Sequence, residues 1–431
     1  MNSAIISLII LVVCIILFVT RIIPNAATAV LGCALFVITG VCDIKDAFSG
    51  FSNSTVLLMF GMMVVGIAMQ ETGIAEIIGK NVTKLSRKNE RLFMLIAGIT
   101  SAALSTFLSN TAVIAIFLPI IESVAKADKR MNRMNLTLPV TLGAMFGGVC
   151  TLVGSTPQLT ANGILLEMTN ETTKLELGMF DYTLPGLLLV GGYILYIELI
   201  GPKLAKRIWG DREAVAEEAA TVVEEKKLPS ETKINKVKII IMAVIFATTI
   251  VFFIGGWIST ALTAVLAALL CIITGCVKQK TVIKKMDWSV VFVLAGCLGL
   301  ATGITKGGAG KLIGEALSSL FGEGVPVIVI FAVFVILTML ISNFITNSTA
   351  VTIMLPIAIS LCLVNGYNPL TFTLGIVFAA NLTYSTPLAN AQTAMTLVAG
   401  YKFSDYVRYT WPLALIVLVE IIAFVPLFYP F

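Results

Sequence analysis

Long apolar runs, broken by short polar stretches, fill almost the whole chain. Ala4–Ile23, Ala26–Val41 and Val56–Met69 come first, followed by Leu92–Ala125, Asn135–Met168 and Leu184–Ile200. About 20 apolar residues make a helix that crosses a bilayer. Leu92–Ala125 and Asn135–Met168 are longer than the other runs and carry polar residues near their middles, the second reading as one interrupted crossing. The first holds Ser109-Asn110-Thr111, the second Gly154-Ser155-Thr156-Pro157. Proline removes a backbone donor and disfavours helix at the residue before it, so the second run predicts a helix broken there. Lys203–Lys238 is the only long polar stretch, and it reads as a solvated linker.

The pattern then repeats. Ser105–Pro119 aligns without a gap on Ser342–Pro356, so that Thr346-Asn347-Ser348 falls on Ser109-Asn110-Thr111 at an offset of 237. Phe107 falls on Phe344, and both read as packing residues. Ala29-Val30-Leu31 and Ile38-Thr39-Gly40 match Ala264-Val265-Leu266 and Ile273-Thr274-Gly275; Gly61, Gly73 and Gly79 match Gly296, Gly308 and Gly314. These share an offset of 235, and Ser155-Thr156-Pro157 matches Ser385-Thr386-Pro387 at 230. Such steady offsets predict an internal duplication. The first repeat covers 1–202, with a hairpin at 92–125 and a broken helix at 135–168. The linker covers 203–236. The second repeat covers 237–431, with a hairpin at 325–364 and a broken helix at 368–399.

Composition sets the class. The chain is 58% hydrophobic and 12% charged, roughly half the charge of a soluble domain. It predicts an all-α polytopic membrane protein, multi-pass in a bacterial-type inner membrane. The net charge of +5 does not signal nucleic acid, because the basic residues sit in short loops beside spans. The absence of histidine removes His catalysis, His proton relays and His metal sites. Eight cysteines without metal-ligand spacing read as small buried hydrophobes. Residues 1–13 carry no Lys or Arg and read as a first span rather than a cleaved leader.

Charge also sets topology. Lys80, Lys84, Arg87, Lys88 and Arg91 precede Leu92–Ala125, and Lys126, Lys129, Arg130 and Arg133 follow it. Positive charge favours the cytoplasm, so this run enters and returns as a re-entrant hairpin with its triplet at the tip. Non-helical backbone at that depth must be buried in protein or line a cavity. Each half contributes five crossings, which inverts the second half. Of the 29 Lys and Arg residues, all but Lys45, Lys174, Lys306 and Lys311 then face the cytoplasm.

Inverted repeats with broken helices are the architecture of secondary transporters. Hydroxyls, Asn carbonyls and freed backbone carbonyls are hard oxygen ligands for a small cation. Helix starts at the breaks aim N–H groups at an anion. No Lys or Arg lies within about ten residues of either triplet, so co-bound cations would supply the positive charge. Glu198 and Glu420 lie well inside apolar runs, with Glu122 and Glu167 near run ends. Glu198 and Glu420 occupy non-equivalent positions, and both read as local hydrogen-bonding or interfacial acids.

These residues resemble the divalent anion/sodium symporter family of dicarboxylate, citrate and sulfate carriers. That family carries Ser-Asn-Thr in each of two re-entrant hairpins and a Thr- or Ser-Pro break in the following helix. Ser109-Asn110-Thr111 matches outright, and Thr346-Asn347-Ser348 matches with its hydroxyl residues exchanged. The resemblance implies sodium beside each tip, at Ser105, Ser109 and Asn110 with Gly154 and Ser155, and at Ser342, Thr346 and Asn347 with Ser385. It implies a substrate anion among Asn110, Thr111, Thr156, Pro157, Asn347, Ser348, Thr386 and Pro387. It implies a homodimer working as an elevator, with no cofactor beyond the coupling ions. Where the family often has Pro-Pro-Asn, this chain has Thr156-Pro157-Gln158 and Thr386-Pro387-Leu388. The expected function is sodium-coupled uptake of a C4-dicarboxylate or citrate. A sodium-independent exchanger and a cation/proton antiporter are the alternatives. A membrane enzyme is disfavoured, because no nucleophile–base arrangement exists.

Overall fold

The computed structural model describes residues 2–74, 77, 89–128, 131–169, 173–210, 236–322, 324–387 and 390–431. Among the described residues every regular element is a helix. In the first half these are α1 (Ser3–Thr20), α2 (Asn25–Ile38), α3 (Ile44–Ala47), α4 (Ser54–Thr72), α5 (Glu90–Ser105), α6 (Asn110–Ala127), α7 (Arg133–Gly148), α8 (Thr156–Thr169), α9 (Thr183–Leu199) and α10 (Gly201–Trp209). The second half has α11 (Lys236–Gly255), α12 (Thr260–Ile273), α13 (Gln279–Lys285), α14 (Trp288–Gly307), α15 (Ala309–Phe321), α16 (Val327–Ser342), α17 (Asn347–Asn365), α18 (Pro369–Asn381), α19 (Ala391–Met395) and α20 (Phe403–Phe428). Gly79 and the loop residues Lys80, Lys84, Arg87, Lys88, Lys129 and Arg130 lie outside the described residues.

Seven of these helices are long and apolar enough to cross a membrane; α9 with α10, bent by 52° between them, makes an eighth. Ile9, Val12 and Ile16 on α1, Val237, Ile240 and Val244 on α11, and Leu415 and Val419 on α20 stand exposed. Water would penalise that apolar surface, whereas hydrocarbon solvates it. The chain is a multi-pass integral membrane protein.

Each expected hairpin is two helices meeting at a four-residue break, 106–109 between α5 and α6 and 343–346 between α16 and α17. α5 packs chiefly on α7, and α16 packs on α18, so each break is held against an interrupted helix. The first interruption, between α7 and α8, is lined with glycine because the tip presses on it. A Cβ at Gly147 would meet Ala102 O at 2.0 Å, and one at Gly148 would meet Asn110 Oδ1 at 2.2 Å.

The halves also exchange contacts. α4 lies against α12, and α14 lies against α2. A Cβ on Gly61 would come within 2.5 Å of the Ala264 backbone, and one on Gly296 within 2.6 Å of Ala29 Cβ. Gly61 and Gly296, like Ala29 and Ala264, are the pairs at offset 235. Reciprocal contact of this kind is the pattern of surfaces related by a two-fold axis.

The polar linker begins later than its composition suggests. Lys203–Trp209 belongs to α10, with Ala205 and Trp209 buried. Trp209 donates from Nε1 to Asn135 Oδ1 at 2.8 Å and lies 4.9 Å from the Tyr409 ring. Leu204, Ala205, Ile208 and Trp209 recur at helical spacing beneath the basic residues, and an amphipathic helix follows. The rest of the stretch, 211–235, is outside the described residues.

Candidate functional site

Three helix starts converge on one cavity. Ser109 caps α6 by accepting the Ala112 N–H at 3.4 Å. Thr346 precedes α17, its hydroxyl 2.6 Å from Thr349 Oγ1. α8 opens on Thr156 with Pro157 second, where a missing N–H removes no helix bond. The first N–H groups of a helix have no partner within it and carry a partial positive charge. All three starts sit on the wall of a cavity of about 810 Å³. Ser109, Asn110, Thr111, Gly154, Ser155, Thr156, Pro157, Thr346, Asn347 and Ser348 line it.

The structure therefore brings the two triplets and the first break together. Thr156 Oγ1 lies 3.0 Å from Ser348 Oγ, a direct bond between the halves. Behind the wall, buried Ser105 donates to Asn110 Oδ1 at 2.6 Å. Buried Ser342 stands in the same relation to Asn347 Oδ1 at 3.3 Å. The Phe pair divides: Phe107 lies on the cavity wall with its ring 5.4 Å from that of Phe246, whereas Phe344 is 70% exposed.

Ser385, Thr386 and Pro387 do not line the cavity. The second interruption contributes Asn390, Ala391 and Gln392 instead. Hydrogen bonds explain the shift. Thr151 Oγ1 donates to the carbonyl of Thr106, and Thr386 Oγ1 donates to the carbonyl of Asn343 at 2.6 Å. Thr151 and Thr386 are thus equivalent, each pinning an interruption to its tip, at an offset of 235. That register pairs Ser155-Thr156-Pro157 with Asn390-Ala391-Gln392, the residues on the wall. The Ser-Thr-Pro match at 230 is five residues out of step, and Pro387 opens no helix. Ser385 accepts a bond from Thr410 at 3.0 Å.

Several site residues lack a motif. Gln158 is buried and donates from Nε2 to Gly148 O at 2.7 Å. Asn390 donates from Nδ2 to Thr383 O at 2.5 Å. By the 235 register, Gly148 and Thr383 are one position, and in both halves an amide satisfies its freed carbonyl. Asn381 Nδ2 reaches Gln158 Oε1 at 3.1 Å, and Ser155 donates to Asn381 Oδ1 at 2.6 Å. Asn25, on the wall, donates to Thr349 Oγ1 at 3.1 Å. Away from the cavity wall, Arg21, in a left-handed conformation after α1, donates to Phe344 O at 3.2 Å. Lone amides in apolar runs, such as Asn381, were a usable signal.

The wall is mostly neutral. Lys285 lines it, paired with Glu71, and Asp287 lines it while capping α14. The acids of the apolar runs lie elsewhere. Glu198 pairs with Arg91 at 2.8 Å, and Glu122 pairs with Arg133 at 2.8 Å. Glu167 accepts from Asn53 at 3.0 Å and Thr302 at 3.2 Å. Glu420 lies against Gly192. The eight cysteines are free and buried, and among the described residues no group of acids and thiols could hold a metal ion. Hydroxyls, amides and helix starts suit an anion, and the oxygens beside them suit a small hard cation.

Known proteins share this chain's sequence and fold. A transporter of unassigned substrate from Synechocystis, sll0640, is 30% identical over 213 residues, a match spanning 49% of this chain and 34% of that one. The sodium-dependent high-affinity dicarboxylate transporter 3 of Caenorhabditis elegans is 25% identical over 86% of this chain and 73% of its own. The sodium-dependent dicarboxylate transporter SdcS of Staphylococcus saprophyticus is 24% identical over 86% and 75%. The YdaH transporter of Alcanivorax borkumensis shares the fold at a TM-score of 0.65 and 14% identity, covering 88% of this chain and 86% of that one. The MtrF efflux pump of Neisseria gonorrhoeae does so at 0.62 and 15%, covering 98% and 94%. The profile of the citrate transporter family matches residues 15–361 and 329–431. With that span of the chain matched, the protein is a membrane transporter and not an enzyme, and it belongs to the citrate transporter family.

Proposed function

We propose that this protein is a secondary transporter that couples sodium to the uptake of a small divalent anion, a C4-dicarboxylate or citrate. One observation carries the reading. Asn110-Thr111 and Asn347-Ser348, from different halves, stand on the wall of a single cavity with the start of α8 between them. A dianion there meets N–H groups and hydroxyls. Lys285, the one cation among the described lining residues, is already paired with Glu71. Charge balance then calls for a co-bound cation at the oxygens around Asn110 and Asn347. The names of the nematode and staphylococcal relatives favour sodium and a dicarboxylate.

Two groups of elements support an elevator motion of inverted repeats. α5–α9 and α16–α20 carry the tips and pack on one another; α1–α4 and α11–α14 form the second group. Among the described residues, the ion pairs Arg91–Glu198, Arg133–Glu122, Lys285–Glu71 and Lys306–Asp46 each join elements of one group. Motion between the groups would break none of these pairs; it would exchange neutral or single-charge hydrogen bonds, among them those of Glu167 to Asn53 and Thr302 and of Asn25 to Thr349. Re-entrant hairpins and a homodimer complete the proposed assembly.

Uptake of labelled succinate, malate, citrate and sulfate by purified protein in liposomes tests the reading. Saturable uptake that needs an inward sodium gradient is the expected result. Uptake that ignores sodium but needs internal anion would identify an exchanger. Proton-for-sodium exchange without anion uptake would identify an antiporter.

A further inference from the structure

The two tips are built alike but hold different numbers of oxygens. Around Asn347, four oxygens crowd together. Ser342 Oγ lies 2.8 Å from Ala380 O, 3.3 Å from Asn347 Oδ1 and 3.3 Å from Thr383 Oγ1. Thr383 Oγ1 lies 3.1 Å from Asn347 Oδ1 and 3.0 Å from Ala380 O. Only the two hydroxyls bring protons to these contacts. Most of the close oxygen pairs therefore face lone pair to lone pair. Ser342, Ala380 and Thr383 are buried, so only Asn347, on the cavity wall, can be reached by water. Asn390 Nδ2 reaches Thr383 Oγ1 from outside the cluster, at 3.2 Å. Buried, proton-poor oxygens are costly alone and favourable around a cation.

Around Asn110 Oδ1 fewer oxygens meet, and the nearby Ser155 hydroxyl, which faces Gln158 Oε1 and Asn381 Oδ1, lies outside that cluster. Ser105 has one proton and gives it to Asn110 Oδ1 at 2.6 Å, with Leu108 O at 3.5 Å. Gly148 stands where Thr383 stands in the other half, and it offers no hydroxyl. Its close approach to Asn110 leaves no room for one, since even a Cβ would lie 2.2 Å from Oδ1. Its carbonyl already accepts from Gln158.

We infer that the two cation sites are unequal. The cluster of Ser342, Asn347, Ala380 O and Thr383 is the tighter site, and the Thr383 hydroxyl makes it so; the site at Ser105 and Asn110 is the weaker. The inference rests on the sodium-coupled reading. It is tested by binding of radioactive sodium to the purified full-length protein, independent of transport. Thr383→Val keeps the side-chain shape and removes the ligand. The expected result is a rise of about tenfold in the half-saturating sodium of the tighter component, about 1.4 kcal/mol. Thr383→Ser restores it, and Ser105→Ala leaves that component unchanged. Thermal unfolding in detergent checks that each variant is folded. Wild-type sodium affinity in Thr383→Val, or an equal loss in Ser105→Ala, overturns the inference. So does a loss in Thr383→Val that serine fails to restore. Uptake indifferent to sodium would overturn the symport reading alone, and the binding titration would still decide this one.

Discussion

Thr156 and Ser348 touch hydroxyl to hydroxyl at 3.0 Å, although 192 positions separate them. One begins α8 and the other lies in the first turn of α17, so the bond ties two helix starts across the cavity. Thr156→Val and Ser348→Ala should each reduce uptake. A partnered hydrogen bond contributes about 1 kcal/mol, and groups in contact do not add independently. The double variant should therefore lose less than the two single losses combined. Strict additivity in the uptake rates would show that the contact carries no function.

Asn110 and Asn347 hold the same station in their halves, each meeting a serine five residues earlier. Asn110→Ala and Asn347→Ala should each abolish anion uptake while the protein remains folded by size-exclusion chromatography. Near-normal uptake with normal sodium dependence in either variant would refute a site shared between the halves.

Asn390 and Ser385 discriminate the two registers of the second interruption. Asn390 is on the cavity wall and holds the Thr383 carbonyl, whereas Ser385 faces Thr410 away from it. Asn390→Ala should reduce uptake about tenfold, the effect of roughly 1.4 kcal/mol. Ser385→Ala should leave it within about twofold, since removing a peripheral hydroxyl costs only tenths of a kcal/mol. The reverse order would favour the Ser-Thr-Pro alignment.

Gly61 and Gly296 test the reciprocal packing. A Cβ at either would sit 2.5–2.8 Å from atoms of Ala264 or Ala29. Overpacking of a tight contact typically costs about 1–3 kcal/mol. Gly61→Ala and Gly296→Ala should both lower the melting temperature in detergent, and by similar amounts because the contacts are equivalent. Gly191, where a Cβ meets nothing within 4 Å, should tolerate alanine at that level of stability.

The helical class, the breaks and the first three cavity elements were legible in the chain because each has a local cause. Polar triplets interrupt apolar runs, and Pro157 follows Gly154-Ser155-Thr156, a polar stretch that favours a break with proline in the first turn of the next helix. The second interruption was legible only in part. Ser385-Thr386-Pro387 repeats the letters of the first break, but a tripeptide does not fix register; the Thr386 bond to the Asn343 carbonyl does. The offsets of 235 and 237 upstream differ from the 230 of the Ser-Thr-Pro match, and that difference is the one sign in the sequence that the match is out of step. Gln158, Asn381 and Thr383 escaped because their roles come from partners across the fold. The linker starts later than its composition suggests because basic residues share α10 with its apolar face.

The crossed contacts of Gly61 with Ala264 and Gly296 with Ala29 bear on how the chain is made. During synthesis α4 emerges some 190 residues before α12, the surface against which it finally rests. Domains made in order normally fold in order, but here the earlier half cannot finish until the later one arrives. Its glycine seam must wait in the bilayer against lipid or the insertion machinery. A ribosome stalled after α10 should thus leave a half that inserts but remains open to proteolysis, and supplying the second half as a separate chain should close it.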